Sequence, residues 1–354
     1  MAAHGRAFFV TGATDGIGLH TARRLAASES RAALILHGRD PARLERAAEL
    51  VSAAAAAASS PQISILTHAC DLASGDLAGL GAAVAKEALA LGLPLTVVHN
   101  AGVYAPRREM IAARSGGGGE SNGGGASSLR SFERTWATNV LAPFALQHAL
   151  LKGLGWRRSR ADTSSGGGGR TPLLPPPSTP SGGGGGVVNG VVGPRTTPTH
   201  LLERVVVTSS LSAQPGSLDF ANLQGERAYS PHGAYGLSKA CNQAFAARLA
   251  LLLGGGGIGD ETDGPPACAV YSLDPGTVDT KMLRAGWEGY PGVDVSEADD
   301  TFWLATAPGE RLAASGGYFV GRRRARLVAA AADGEVSDRL WALWREQTGC
   351  DELF

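Results

Sequence analysis

The stretch GAYGLSKACNQ (233–243) sets Tyr235 and Lys239 four positions apart among small and apolar residues. On a helix that spacing places both side chains on one face and pairs a phenol with an ammonium. A free tyrosine, with a pKa of ~10, exchanges protons poorly near neutrality. An ammonium about 5 Å away, at an effective dielectric of ~20, favours the phenolate by roughly 3 kcal/mol. That is about 2 pKa units and brings the phenol near ~8. The chemistry on offer is proton exchange by the phenol. Because Y-x-x-x-K is short and occurs in many unrelated helices, its meaning depends on what else the chain directs to the same place.

Short apolar runs predict strands at Ala7–Val10, Ala33–Leu36, Ile63–Thr67, Thr96–His99, Val205–Thr208, Ala267–Leu273 and Tyr318–Val320. Helical patterns lie between and after them, at 17–28, 41–58, 76–91, 129–154, 233–253, 297–306 and near 335–347. Continuous apolar strands alternating with amphipathic helices imply parallel strands covered on both faces. The fold class expected is therefore α/β, a doubly wound, mostly parallel, seven-stranded Rossmann-like sheet. About half of the 50 glycines fall in three segments, 115–127, 157–200 and 254–266. Such composition buries too little apolar surface to offset chain entropy, so these read as disordered surface insertions in one catalytic domain spanning 1–354.

A formal net charge of +0, with 18% charged residues, argues against nucleic acid or an anionic membrane as the main partner. Cys70, Cys241, Cys268 and Cys350 show no C-x-x-C spacing, so neither a metal site nor a disulfide framework is indicated. No apolar run reaches the ~18 residues of a membrane span. With strand-like sequence already at Ala7–Val10, no leader is apparent, and a cytoplasmic protein is expected.

Ligands of such sheets sit beyond the carboxyl ends of the strands, and the informative residues lie there. The first strand runs into TGATDGIG, with Thr11, Gly12, Gly16, Ile17 and Gly18, a turn that lets a pyrophosphate approach the backbone N–H groups at a helix start. The second ends in HGRD. Gly38 and Arg39 stand where NAD-binding sites often carry an acid, which favours NADP(H) over NAD(H), and Asp40 suits an N-cap before Pro41. Asp71 follows the third strand, suited to an adenine amino group or to capping a turn. Asn100, Ala101 and Gly102 follow the fourth, small enough for close packing against a cofactor. Asn139 is a polar group in the apolar run ATNVLAPFAL, and Ser209 and Ser210 end the fifth strand. Trp287, Trp303, Trp341 and Trp344 suit core packing better than a pocket wall, and the arginines at 322–324 and 326 suit a solvated edge.

Taken in order, T-G-x-x-x-G-I-G, N-A-G, Asn139, the serine and Y-x-x-x-K resemble the short-chain dehydrogenase/reductase family, single-domain type. The long segment from Ser209 to Tyr235 resembles the retinol-dehydrogenase-like branch, and its spacing points to Ser210 as the family's serine. The resemblance implies an oxidoreductase moving a hydride between NADP(H) and a hydrophobic carbonyl or alcohol. Tyr235 would be the general acid/base, and Lys239 would serve the tyrosine and the nicotinamide ribose. Ser210 would hold the substrate oxygen, and Asn139 a water in the proton path. Pro275, Gly276, Val278 and Thr280, in PGTVDT, resemble the loop that covers the nicotinamide, and Asp274 stands where many relatives of that branch have histidine. The rival readings are a nucleotide-sensing scaffold and a nucleotide-sugar epimerase or dehydratase. Oligomeric state is left open, a homodimer included.

Overall fold

Side chains alternate in strand β1 (Arg6–Val10): Ala7 and Phe9 enter one core cluster, while Phe8 and Val10 enter another on the opposite face. The same period of two sorts the residues of β2 (Arg31–Gly38), β4 (Leu95–His99), β7 (Leu202–Thr208) and β8 (Ala269–Asp274), so the sheet needs cover on both sides. One face is covered by α3 (Leu77–Leu91), α5 (Ala142–Gly153), α6 (Pro231–Gly254) and α10 (Gly334–Thr348). The other is covered by α1 (Gly16–Ser28), α2 (Pro41–Ala57) and α8 (Asp300–Thr306). This computed structural model describes residues 5–59, 62–112, 130–156, 201–213, 218–254, 268–312 and 314–352.

With β3 (Gln62–Ala69), β9 (Tyr318–Val320) and β10 (Arg323–Ala325), the main sheet runs in the order β10-β9-β8-β7-β4-β1-β2-β3. The seven expected strands are all present and parallel. An eighth, β10, pairs antiparallel with β9 and carries two of the exposed arginines. The chain order reverses between β1 and β4, and a crevice opens beyond their carboxyl ends.

Most element boundaries move by three residues or fewer, α8 beginning at Asp300 and β7 at Leu202, and two differences are of another kind. The expected helix from 129 begins only at α4 (Arg134–Trp136), because Ser131–Glu133 (β6) pairs antiparallel with Met110–Ala112 (β5). Glu133 then caps α4 by accepting from Trp136 N at 2.8 Å. Gly254 ends α6 instead of opening an insertion. The rest of that segment, and segments 115–127 and 157–200, lie outside the described residues. Short helices α7 (Lys281–Gly286) and α9 (Ala329–Ala332) complete the chain. Among the described residues no helix is long and apolar enough to cross a membrane.

Residues 157–200 join two anchored ends. Trp156 N donates to Leu151 O at 2.9 Å, and Leu201 O accepts from Leu95 N at 2.6 Å. Connections from helix to strand in such folds need only about 2–6 residues. Replacing 157–200 by a Gly/Ser connector of about ten residues is expected to leave cofactor binding and thermal midpoint nearly unchanged. Loss of cooperative unfolding in a thermal melt would contradict this.

Candidate active site

The crevice is a cavity of about 760 Å³. Its floor begins at the turn after β1. Thr11 Oγ1 accepts from Asn100 N and Ala101 N at 3.0 and 3.1 Å, which locks the ends of β1 and β4 together. Gly12 has φ +69°, where an L side chain is strained. At Gly18 a Cβ would lie 2.3 Å from the Gly12 carbonyl oxygen, so the first turn of α1 tolerates nothing larger. Gly12, Gly16 and Ile17 line the cavity, whereas Thr11 and Gly18 sit one layer behind and shape it.

At one end, Gly38, Arg39 and Asp71 line the wall. Asp40 caps α2, as its position before Pro41 suggests, accepting from Ala42 N and Arg43 N. Among the described residues, Arg39 makes no ion pair with Asp40 or Glu45. Asp71 accepts from Ala73 N at 3.0 Å, so it caps a turn as well as facing the cavity. Arg43 also lines this end, its guanidinium held by Asp15 at 2.8 Å; Asp15 in turn binds Lys281 at 2.6 Å.

His37 is a wall residue that the sequence reading passed over. It is buried in the cavity floor, with Nε2 donating to Cys70 O at 3.0 Å and Nδ1 accepting from Gly12 N at 3.4 Å. Burial lowers its pKa to about 4, so it is neutral and ties the ends of β1, β2 and β3 together. A lone polar residue ending the apolar run ALIL was its only sequence signal.

The other end holds the phenol–ammonium pair. One face of α6 presents Tyr235, 8% exposed, and Lys239, 2% exposed, with Nζ 5.4 Å from the ring centroid. Lys239 donates to Thr208 O at 3.0 Å. Ser209 turns away, its hydroxyl donating to Lys239 O at 2.8 Å, while Ser210 faces the cavity beside the Tyr235 phenol, its Oγ accepting from Ser212 N at 3.0 Å. The adjacent serines thus point to different layers. Asn100, Ala101, Gly102, Pro275, Gly276, Val278 and Thr280 line the wall between the two ends.

Asn139 lies behind this wall, fully buried in a π-helical turn over Ala137–Leu141. Its Nδ2 donates to Val103 O and Ser238 Oγ, and its Oδ1 accepts from Val103 N at 2.8 Å. Both amide hydrogens are used, so a water could be held only by an oxygen lone pair. Pro143, lacking an N–H, leaves the Asn139 main-chain carbonyl without its ordinary helical donor.

Burial changes the electrostatics expected from spacing alone. It raises the Tyr235 pKa to about 12, with the neighbouring Ser210 hydroxyl opposing and the Asp274 charge adding to the rise. It brings the Lys239 ammonium down to about 8, with Asp274 opposing. The value near 8 expected for the phenol omitted this desolvation, which outweighs attraction to an ammonium that donates to Thr208.

Trp287 is the exception among the tryptophans. It lines the cavity with its ring 5.5 Å from that of Tyr235, whereas Trp303, Trp341 and Trp344 pack in or against the core. Tyr104 sits against both rings and hydrogen-bonds His232 Nδ1 at 3.2 Å. His232 Nε2 donates to Gly286 O at 2.9 Å, fastening the end of α7 to the start of α6. Leu211 and Tyr290, 68% and 61% exposed, form an apolar rim at this mouth.

Comparison with known proteins agrees with this architecture. A family model described as short chain dehydrogenase matches residues 6–162. The polyprenol dehydrogenase of Mus musculus is 31% identical, over 98% of this chain and 84% of its own. Retinol dehydrogenase 11 of Homo sapiens is 37% identical over a shorter stretch, 24% of this chain and 27% of its own. A short chain dehydrogenase structure from Shigella flexneri, complexed with NADP, superposes with a TM-score of 0.52 at 18% identity, covering 90% of this chain and 97% of that one. The chain belongs to the short-chain dehydrogenase/reductase family of oxidoreductases.

Proposed function

We propose that the protein is an NADP(H)-dependent reductase of apolar carbonyl compounds, with Tyr235 as its general acid. The observation that carries this reading is one cavity with the Tyr235–Lys239–Ser210 cluster at one end and, at the other, the Arg39 guanidinium, which has no ion-pair partner among the described residues. The glycine turn after β1 suits the pyrophosphate between them, and Arg39 suits a 2′-phosphate. Bound NADPH supplies the hydride.

Tyr235, neutral at pH 7 with a pKa of about 12, is in the state needed to donate a proton to the substrate oxygen as the carbonyl carbon is reduced. Ser210 donates a hydrogen bond to that oxygen as negative charge develops. The buried Lys239 ammonium stabilises the phenolate left behind and supplies a donor for the ribose. Asn139 holds the Val103 backbone next to Gly102, whose missing side chain leaves room for the Lys239 ammonium: a Cβ there would lie 3.5 Å from Nζ. An apolar substrate is supported by Trp287 and by the exposed Leu211–Tyr290 rim. Names of relatives point the same way, to polyprenol and retinol.

The test is NADPH oxidation over a panel of aromatic, aliphatic, retinoid, isoprenoid and quinone carbonyls. Turnover of long apolar aldehydes or ketones in preference to short polar ones is expected; turnover of none would contradict the reading.

The pH dependence follows from the same groups. Tyr235 stays protonated below about 12 and Lys239 stays charged below about 8. The kcat/KM for NADPH in the reductive direction is therefore expected to be flat up to about 8 and to fall about tenfold per pH unit above it. A rate that rises between pH 8 and 10 would contradict the assignment.

A further inference from the structure

Asp274 is the last residue of β8 and is 5% exposed. Both carboxylate oxygens are in use: Oδ2 accepts from Leu211 N at 2.6 Å and Oδ1 from Gly276 N at 2.8 Å. Leu211 belongs to the turn that carries Ser210. Gly276 belongs to the Pro275–Thr280 segment on the cavity wall. One side chain therefore fastens the serine turn to the segment assigned to the nicotinamide. Both partners are donors, so a carboxylate fits where an asparagine would turn its own NH₂ toward a backbone N–H.

The charge matters too. Among the described residues, Asp274 and Lys239 are the two buried acidic or basic side chains of the Asp, Glu, Lys and Arg types that line the cavity. An ammonium taken out of water is costly unless a negative charge stands near it.

We propose that Asp274 is a positioning residue for the reaction: its carboxylate clamps the Ser210 turn to the Pro275–Thr280 segment and provides the counter-charge for the Lys239 ammonium. This rests on the reading of the cavity as a hydride-transfer site. The ionisable groups that feel Asp274 are Lys239 and Tyr235 of α6 and Tyr318 of β9. Its negative charge favours the ammonium and disfavours either phenolate, so its removal lowers the pKa of all three.

The test is an NMR titration of the full chain labelled with ¹⁵N at lysine Nζ, the Lys239 signal being identified by its loss in Lys239→Met. Lys239 is expected to titrate near 8 in the unsubstituted protein. In Asp274→Asn it should titrate about one pH unit lower, and in Asp274→Glu it should return toward the original value. The alkaline limb of the rate profile should move with it, and kcat should fall on the order of tenfold while KM for NADPH changes less. If Asp274→Asn does not fold, Asp274→His, neutral at these pH values, is read in the same way. An unchanged Lys239 titration in the uncharged variant overturns the proposal, even if turnover is reduced. Because the titration needs no substrate, it stands apart from the carbonyl screen: failure of every carbonyl there would count against the functional reading alone.

Discussion

Tyr235→Phe is expected to lower turnover by ~10²–10⁴-fold, the loss typical of a missing general acid, while NADPH still binds. The ring packs edge-on against Trp287 and Tyr104, contacts that phenylalanine keeps, so the cavity wall should survive. What disappears is the hydroxyl beside Ser210 and the proton it delivers. Lys239→Met is the companion variant. In the proposed mechanism Lys239 stabilises the phenolate and supplies a donor for the ribose, so its loss should weaken both turnover and cofactor binding. Fluorescence titration with NADPH, combined with steady-state rates, separates the two effects. A fully active Tyr235→Phe protein would remove the phenol from the mechanism.

Arg39→Ala is expected to raise KM for NADPH about ten- to 150-fold, the equivalent of one charge-assisted hydrogen bond of ~1.5–3 kcal/mol. The exposure of Arg39 places the effect toward the lower end, since solvent screens the pair. Activity with NADH should barely change, because no 2′-phosphate is present to lose its partner. The reverse substitution, Gly38→Asp, adds a carboxylate that repels the phosphate and accepts a ribose hydroxyl. A Cβ at residue 38 would lie 2.3 Å from Thr14 Cγ2, so Thr14→Ala is needed beside it to give the new side chain room. The double variant should move the preference toward NADH. An unchanged NADPH/NADH ratio of kcat/KM in both proteins would place Arg39 outside the cofactor site.

The parts of this site that could be read from sequence are those set by local rules. The i, i+4 spacing placed Tyr235 and Lys239 on one face of α6. Pro41 after Asp40 marked a helix start, and the cap is there. The apolar runs marked the strands, and their order of chain reversal put the glycine turn and N-A-G side by side. What escaped depends on contacts between distant segments. Asp274 bonds Leu211 across 63 positions, and Tyr104 meets His232 across 128, neither of which leaves a pattern in local spacing. Trp287 looked like the other tryptophans, and only the packing of α7 against α6 separates it from them. The short strand Ser131–Glu133 was hidden because its partner, Met110–Ala112, lies on the far side of a glycine-rich run. The phenol's raised pKa has a related origin: a pair of ionisable groups can be counted from sequence, whereas the burial of both cannot.

Hydride transfer from a nicotinamide to a carbonyl carbon, assisted by Tyr235, leaves a mark on the product. The direct measurement uses NADPH carrying deuterium at the transferable C4 position, with the best carbonyl from the screen, and reads the alcohol product by mass spectrometry and NMR. One deuterium is expected on the carbinol carbon per NADPH oxidised, with the hydroxyl proton exchanging with solvent, and this product should be lost in Tyr235→Phe. Oxidation of NADPH without deuterium on the carbinol carbon would contradict it.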